Sequence, residues 1–203
     1  MRPLPAQTVH SALGDLPKRV LDLGCGTSEL ADALAARGHE LTAVDYARAA
    51  LASAQTRARL RRVALPRPAL FLSPVYAVAD ATALPFRDAA FDAVLDKGTL
   101  DVRAPSFSRI ARPFHSRSFT HDPAPLRATQ SLNCVGAAEA SAAESARVLR
   151  PGGLLLSVTC RDCEERVAML VSAGFAQAAP PVGLYTEPAA PCPNASVLTL
   201  RRT

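Results

Sequence analysis

Four acidic residues in this chain stand where apolar runs stop. Asp22 lies in Val20-Leu21-Asp22-Leu23-Gly24-Cys25-Gly26-Thr27, and Asp45 ends Glu40-Leu41-Thr42-Ala43-Val44. Asp80 follows Val75-Tyr76-Ala77-Val78-Ala79, and Asp96 ends Phe91-Asp92-Ala93-Val94-Leu95. The first stretch is followed by a helical pattern over residues 28–36. Strand, Gly-x-Gly turn and helix together form the unit with which α/β domains bring main chain against a nucleotide-like cofactor. Gly24 and Gly26 lack Cβ, so the turn can be tight and a ligand can lie on the main chain. The first N–H groups of the helix point to the same place. A dinucleotide fingerprint needs a third glycine three residues after the second, and here that residue is Glu29. A carboxylate there opposes a diphosphate. The residues favour a cofactor that lacks phosphate and carries a positive centre.

The other acids extend this reading. Asp45 lies 21 positions after Gly24, near the ~20-residue offset at which an acid reaches ribose hydroxyls. A carboxylate accepts two hydrogen bonds and so matches a vicinal diol; the plainer alternative is a solvated strand-end carboxylate. Asp96 and Asp101 bracket Lys97-Gly98-Thr99-Leu100 at the end of a strand, the edge at which open α/β sheets bind ligands. Lys97 and Lys18 are the only lysines among 23 basic residues. Lys97 is either part of an active loop or an ordinary loop cation.

The stretch LDLGCGTSEL resembles the first motif of class I S-adenosylmethionine (SAM)-dependent methyltransferases. The resemblance implies a SAM site built from Asp22, Leu23, Gly24, Cys25, Gly26 and Thr27, with Asp45 on the ribose and Tyr46 as a plate beside the adenosine. Asp80-Ala81-Thr82-Ala83-Leu84-Pro85-Phe86 is similar to the superfamily segment whose acid accepts from the adenine amino group, which assigns Asp80 and Ala81 to the cofactor. The continuation Asp96-Lys97-Gly98-Thr99-Leu100-Asp101 resembles one branch, the seven-β-strand protein-lysine methyltransferases, which act on a translation elongation factor and on citrate synthase. That resemblance implies Asp96, Lys97 and Asp101 as catalytic residues, Asp96 also touching the cofactor, and a protein lysine as acceptor. A lysine with pKa of about 10.4 is neutral in roughly one molecule in a thousand at pH 7. Such an enzyme must therefore capture the cation and let it lose a proton. Carboxylates help the capture, whereas desolvation favours the neutral amine. No residue identifies itself as the general base. Two other readings use the same cofactor site: a methyltransferase for a small metabolite, and a non-catalytic relative that binds a partner.

These residues require a particular scaffold. Strand-like and helix-like segments alternate, which predicts an α/β fold: a doubly wound, mostly parallel seven-stranded sheet, Rossmann-like, with an antiparallel C-terminal hairpin. A helix is expected over 137–148 and a fifth strand over 154–159. Asp162 and Glu165 have the form of a capping pair that opens a helix, and Gly174 closes it. Weaker strands follow over 175–178 and 196–200, with Pro180, Pro181, Pro188, Pro191 and Pro193 in an irregular connection. A chain of 203 residues has room for one full core. About half the residues are apolar, yet no run approaches the 18 or more needed to span a membrane.

Residues 1–18 read as a short N-terminal segment and 19–203 as the methyltransferase domain. The lysine-methyltransferase branch carries a longer upstream segment with aromatic residues, so a cofactor lid is expected to be missing or shortened here. Residues 102–133 read as a basic, Pro- and Ser-rich insertion, with five arginines against one aspartate. Its arginines, interleaved with Phe107, Phe114 and Phe119, either engage an acidic protein or RNA or form a solvated linker. Arg57, Arg59, Arg61, Arg62 and Arg67 read as the solvated face of a helix. Nucleic acid is not an expected partner: the excess of Ala, Arg and Pro is compositional, and Ala179-Pro180-Pro181-Val182 lacks the acid or amide of a base-methylation element. Five cysteines without a secretory signal predict reduced thiols and a cytoplasmic location, with a mitochondrial one left open. Cys160-Arg161-Asp162-Cys163 lacks a second ligand pair, so no metal is expected.

Overall fold

The computed structural model describes residues 6–64, 73–101, 136–160, 162–183 and 195–203. In chain order the elements are α1 (Ala6–Leu13), β1 (Arg19–Leu23), α2 (Leu30–Ala35), β2 (Glu40–Asp45), α3 (Arg48–Ala64), β3 (Val75–Val78), β4 (Phe91–Lys97), α4 (Ala137–Val148), β5 (Leu149–Thr159), α5 (Cys163–Ser172), β6 (Phe175–Gly183) and β7 (Ser196–Arg202). The strands form one seven-stranded sheet in the order β3-β2-β1-β4-β5-β7-β6. The first five are parallel, and β7 runs antiparallel between β5 and β6. This is the expected doubly wound sheet with its C-terminal hairpin.

Parallel strands covered on both faces must be apolar on both sides. Accordingly β1 and β4 are buried almost throughout. Alternate residues feed two cores. Val20, Ala43, Leu95 and Leu156 pack with Leu34 of α2, Leu51 of α3 and Val9 and Leu13 of α1. Leu21, Val94 and Leu155 pack on the other face with Ala142 of α4 and Leu170 of α5. The N-terminal segment thus supplies a docked helix. His10 of α1 also meets the buried His39, Nδ1 to Nε2, at 2.9 Å.

The chain moves outward from β1 through β2 to β3, then returns to β4 on the other side of β1. That reversal is a topological switch point, and the crevice outside the carboxyl ends of β1 and β4 is where such sheets take ligands.

Some boundaries differ from expectation. The helix expected over 28–36 is the six-residue α2. Strand β5 starts at Leu149 and changes register opposite Phe91 and Ala93. Strand β6 continues through Pro180 and Pro181 rather than ending at 178. It is an edge strand, where proline's missing N–H costs no ladder bond, and its register shifts around Ala179. Asp162 does cap α5, accepting from the N–H groups of Glu164 and Glu165, and Gly174 follows it at φ 92°. Cys25 and Cys163 are free thiols. Cys160 is disulfide-bonded, which departs from the expectation that all thiols are reduced. The proposed insertion, Arg67, Cys134 and Cys192 lie outside the described residues. Among those described, no helix is long and apolar enough to cross a membrane.

Candidate functional site

The glycine turn is built by the end of β1 and by Thr99, which follows β4. Gly24 has φ 63°. Thr99 donates its hydroxyl to the Leu23 carbonyl at 2.8 Å, and a Cβ on residue 24 would overlap that hydroxyl. Gly26 has φ 56°, and a Cβ there would meet nothing within 4 Å. One glycine is required by a close approach, the other by the left-handed turn it makes beside open space. Cys25 is buried between them. Burial, followed by the charges of Asp22 and Asp45, pushes its thiol up to about 12, so it stays protonated and serves as filling. Thr27 is exposed at the end of the turn.

Asp45 reaches back to this turn. Its Oδ2 accepts from the Gly26 N–H at 2.8 Å and its Oδ1 from the Ala47 N–H at 2.8 Å. Each oxygen keeps a second lone pair, since a carboxylate offers about four acceptor sites. Tyr46, next in the chain, is 42 % exposed. Asp80 Oδ1 accepts from the N–H and hydroxyl of Thr82 at 2.8 and 2.7 Å, and Ala81 is buried beneath that loop. The loop is fastened from α4: Arg147 donates to the carbonyls of Leu84 and Phe86, and Glu144 accepts from the Leu84 N–H.

Asp22 is the most unusual group. It is buried, and neither carboxylate oxygen has a hydrogen-bond partner. Burial pushes its pKa up to about 7, opposed by the charge of Lys97 and assisted by Asp96 and Asp45. A buried acceptor without a donor is costly, and a cationic donor placed in the crevice would relieve it.

At the end of β4 and in the loop after it the two acids face inward. Asp96 is buried and bonded on both oxygens: Oδ1 accepts from the N–H groups of Thr99 and Leu100 at 2.9 and 3.1 Å, and Oδ2 accepts from the Ser157 hydroxyl at 2.6 Å. Burial raises its pKa, and the Ser157 bond works against that rise. Asp101 is also committed inward. It accepts from the Thr159 hydroxyl at 2.8 Å and the Cys160 N–H at 3.0 Å, and it pairs with the buried Arg166 of α5. Neither carboxylate stands open to a substrate ammonium. Lys97 is half-buried at the end of β4, close enough to Asp22 for its charge to act there.

The fold therefore gathers Asp22 to Thr27, Asp45 with Tyr46, and Asp96 with Lys97 at one sheet edge, with Asp80 and Ala81 following β3. Sequence reading gave no role to Thr99, Ser157, Thr159 and Arg166, and it placed Arg57 on a solvated helix face. Ser157 and Thr159 were visible as alternate polar residues in an otherwise apolar strand. A cavity of about 180 Å³ opens beside this loop, between α4 and α5, walled by Leu100, Ala138, Met169 and Arg166 and by the acids Glu139, Asp162 and Glu165.

Residues 21–114 match the family described as a methyltransferase domain. That match takes in a little under half of the chain, from most of β1 through β4. The chain is similar to the demethylmenaquinone methyltransferase of Thermus thermophilus, at 42 % identity over 90 residues. That match covers 43 % of this chain and 37 % of the relative, so it spans little more than a third of the relative's length. Among solved structures, a SAM-dependent methyltransferase of Methanosarcina mazei superposes with TM-score 0.64 at 19 % identity, covering 96 % of each chain. The 1,6-didemethyltoxoflavin-N1-methyltransferase of Burkholderia thailandensis, with its substrate and S-adenosylhomocysteine bound, superposes with TM-score 0.66 at 20 % identity, covering 98 % of this chain and 77 % of that one. At these identities the structural likeness concerns the fold.

Proposed function

We propose that this chain is a SAM-dependent methyltransferase whose acceptor is a small molecule. The observation that carries the cofactor reading is the orphaned, buried Asp22 beside a glycine turn at the switch point of the sheet. SAM brings an ammonium and a sulfonium and no phosphate, which suits an unpartnered carboxylate and the Glu29 that stands where a third glycine would. Asp45 holds the ribose diol through its free lone pairs, Tyr46 covers the adenosine, and Asp80 with Ala81 borders the adenine. When bound, SAM supplies an electrophilic methyl group. The chain's contribution is alignment and exclusion of water.

The small-molecule acceptor is favoured by the loop after β4. A lysine enzyme of the kind this loop resembles needs carboxylates to capture a cationic side chain, and here Asp96 and Asp101 are spent on Thr99, Leu100, Ser157, Thr159, Cys160 and Arg166. Their work is to shape the loop, and the protein-lysine acceptor gains no support from it. The similar Thermus enzyme is named for demethylmenaquinone and the Burkholderia structure holds 1,6-didemethyltoxoflavin, both small molecules. The cavity beside Leu100, lined by Ala138 and Met169 and by the charged Glu139, Asp162, Glu165 and Arg166, is the acceptor space we assign.

Calorimetry with SAM and S-adenosylhomocysteine tests the cofactor half of this reading. Binding by the parent chain and none by Gly24→Arg is expected. No binding by the parent, or equal binding by the variant, would remove the basis of the proposal.

A further inference from the structure

Arg57 does not lie on the solvated face of α3. It follows Leu51 and Ala54 at helical spacing, and both of those are buried. Its guanidinium reaches across to the segment behind the glycine turn. Nη1 donates to the Thr27 carbonyl at 3.0 Å, Nη2 to the Ser28 carbonyl at 2.7 Å, and Nε to Asp32 Oδ2 at 3.4 Å. Glu29 Oε1 lies 4.0 Å from Nε. Asp32, buried in α2, takes a second bond on Oδ1 from the Tyr76 hydroxyl of β3 at 3.1 Å. Burial and the Asp32 charge raise the Tyr76 pKa, which keeps that phenol a donor. One cation thus ties together α3, the turn, α2 and, through Asp32, β3.

The turn needs such a tie. Two of its residues are glycines without side chains to brace them, and the start of α2 is held by one side chain of the turn, Ser28, whose hydroxyl accepts from the Leu30 N–H at 3.2 Å. From one side Asp45 holds the Gly26 N–H. From the other, the planar fork of Arg57 takes two successive carbonyls and a carboxylate at once, in a fixed geometry that an ammonium lacks.

We propose that Arg57 is a positioning residue for the cofactor: by holding the Thr27 and Ser28 carbonyls and Asp32, it fixes the glycine turn in the shape that receives SAM. This inference rests on the SAM reading above. Arg57 would not touch the cofactor; it acts through the turn.

The test compares the parent chain with Arg57→Lys, Arg57→Met and Tyr76→Phe. SAM affinity is read by calorimetry, and amide hydrogen exchange over residues 24–30 is read without cofactor. Loss of charge-assisted hydrogen bonds of this kind predicts SAM binding weakened about tenfold in both Arg57 variants. Amides of the turn should exchange faster, and affinity is compared per folded molecule, because Arg57→Met also leaves the buried Asp32 without its cation and lowers the melting temperature. Retaining the charge in Arg57→Lys should not rescue the affinity. Tyr76→Phe should weaken binding by a smaller factor. Unchanged affinity and unchanged exchange in folded Arg57→Lys would overturn the inference, as would a loss of melting temperature with affinity per folded molecule intact. A parent chain that binds no SAM would reject the cofactor reading, and turn exchange would still report whether Arg57 holds the turn.

Discussion

Thr99 closes over Gly24. Its hydroxyl donates to the carbonyl that precedes this glycine and fills the space a side chain at position 24 would need. The end of β1 and the loop after β4, 75 residues apart in sequence, are thereby locked edge to edge at the switch point of the sheet.

That lock predicts the cost of the smallest substitution. Gly24→Ala should suffer both from φ 63° and from overlap with Thr99, at least about 2 kcal/mol together. For a chain of this size the melting temperature should fall by about 4–8 °C. Adding Thr99→Gly should recover the part due to overlap and leave the part due to backbone strain. Equal melting temperatures for Gly24→Ala and the parent chain would contradict the packing described.

Asp22 predicts a pH dependence with a definite sign. Its pKa rises on folding from the ordinary 3.8 to about 7, so the native state favours the protonated acid. Stability from this group is greatest below about pH 4, falls as the pH climbs to about 7, and stays low above that. In the absence of cofactor, Asp22→Asn should therefore be more stable than the parent chain at pH 8, by up to ~4 kcal/mol at about 1.4 kcal/mol per unit. The advantage should vanish near pH 4. The same variant should bind SAM more weakly at pH 8. A variant less stable than the parent at pH 8 would show that Asp22 has a partner in the folded chain.

The Asp101–Arg166 pair separates a structural role from a catalytic one. Both residues are buried, and removing one partner of a buried pair leaves an uncompensated charge at a cost of about 3–5 kcal/mol. Arg166→Met should lower the denaturation midpoint accordingly, and the double variant with Asp101→Leu should recover much of the loss. Asp101→Asn should lose stability while keeping its turnover per folded molecule. Normal stability with abolished turnover would return Asp101 to the chemistry.

Cys25 offers a simpler check. With its thiol held at about 12 by burial, it should resist alkylation at pH 8 in the folded chain, and Cys163, which is half-buried, should react first. Peptide mapping after brief iodoacetamide treatment distinguishes the two. Prompt labelling of Cys25 would mean that the turn opens in solution.

The scaffold was legible because its signals are local. Val20 to Leu23 and Phe91 to Leu95 are apolar runs closed by acids and glycines, and the offset from Gly24 to Asp45 follows from strand and helix lengths. The roles of the second loop were not legible, because its partners come from register. Asp96 lies beside Ser157 only because β4 pairs with β5 at that position, 61 residues away, and Asp101 depends in the same way on Thr159 and Arg166. Arginines were read as surface residues because most are exposed. Arg57 and Arg166 are exceptions, and for Arg57 the spacing from Leu51 and Ala54 was a signal that charge outweighed. Strand β6 was cut short at its prolines because its edge position cannot be known until the sheet order is.

Methyl transfer from radiolabelled SAM into a cell extract, separated afterwards into small molecules and macromolecules, with Gly24→Arg as the control, tests the small-molecule acceptor most directly. Label in the small-molecule fraction that depends on Gly24 is expected. Label recovered in protein as methyl-lysine, or no Gly24-dependent label in either fraction, would contradict it.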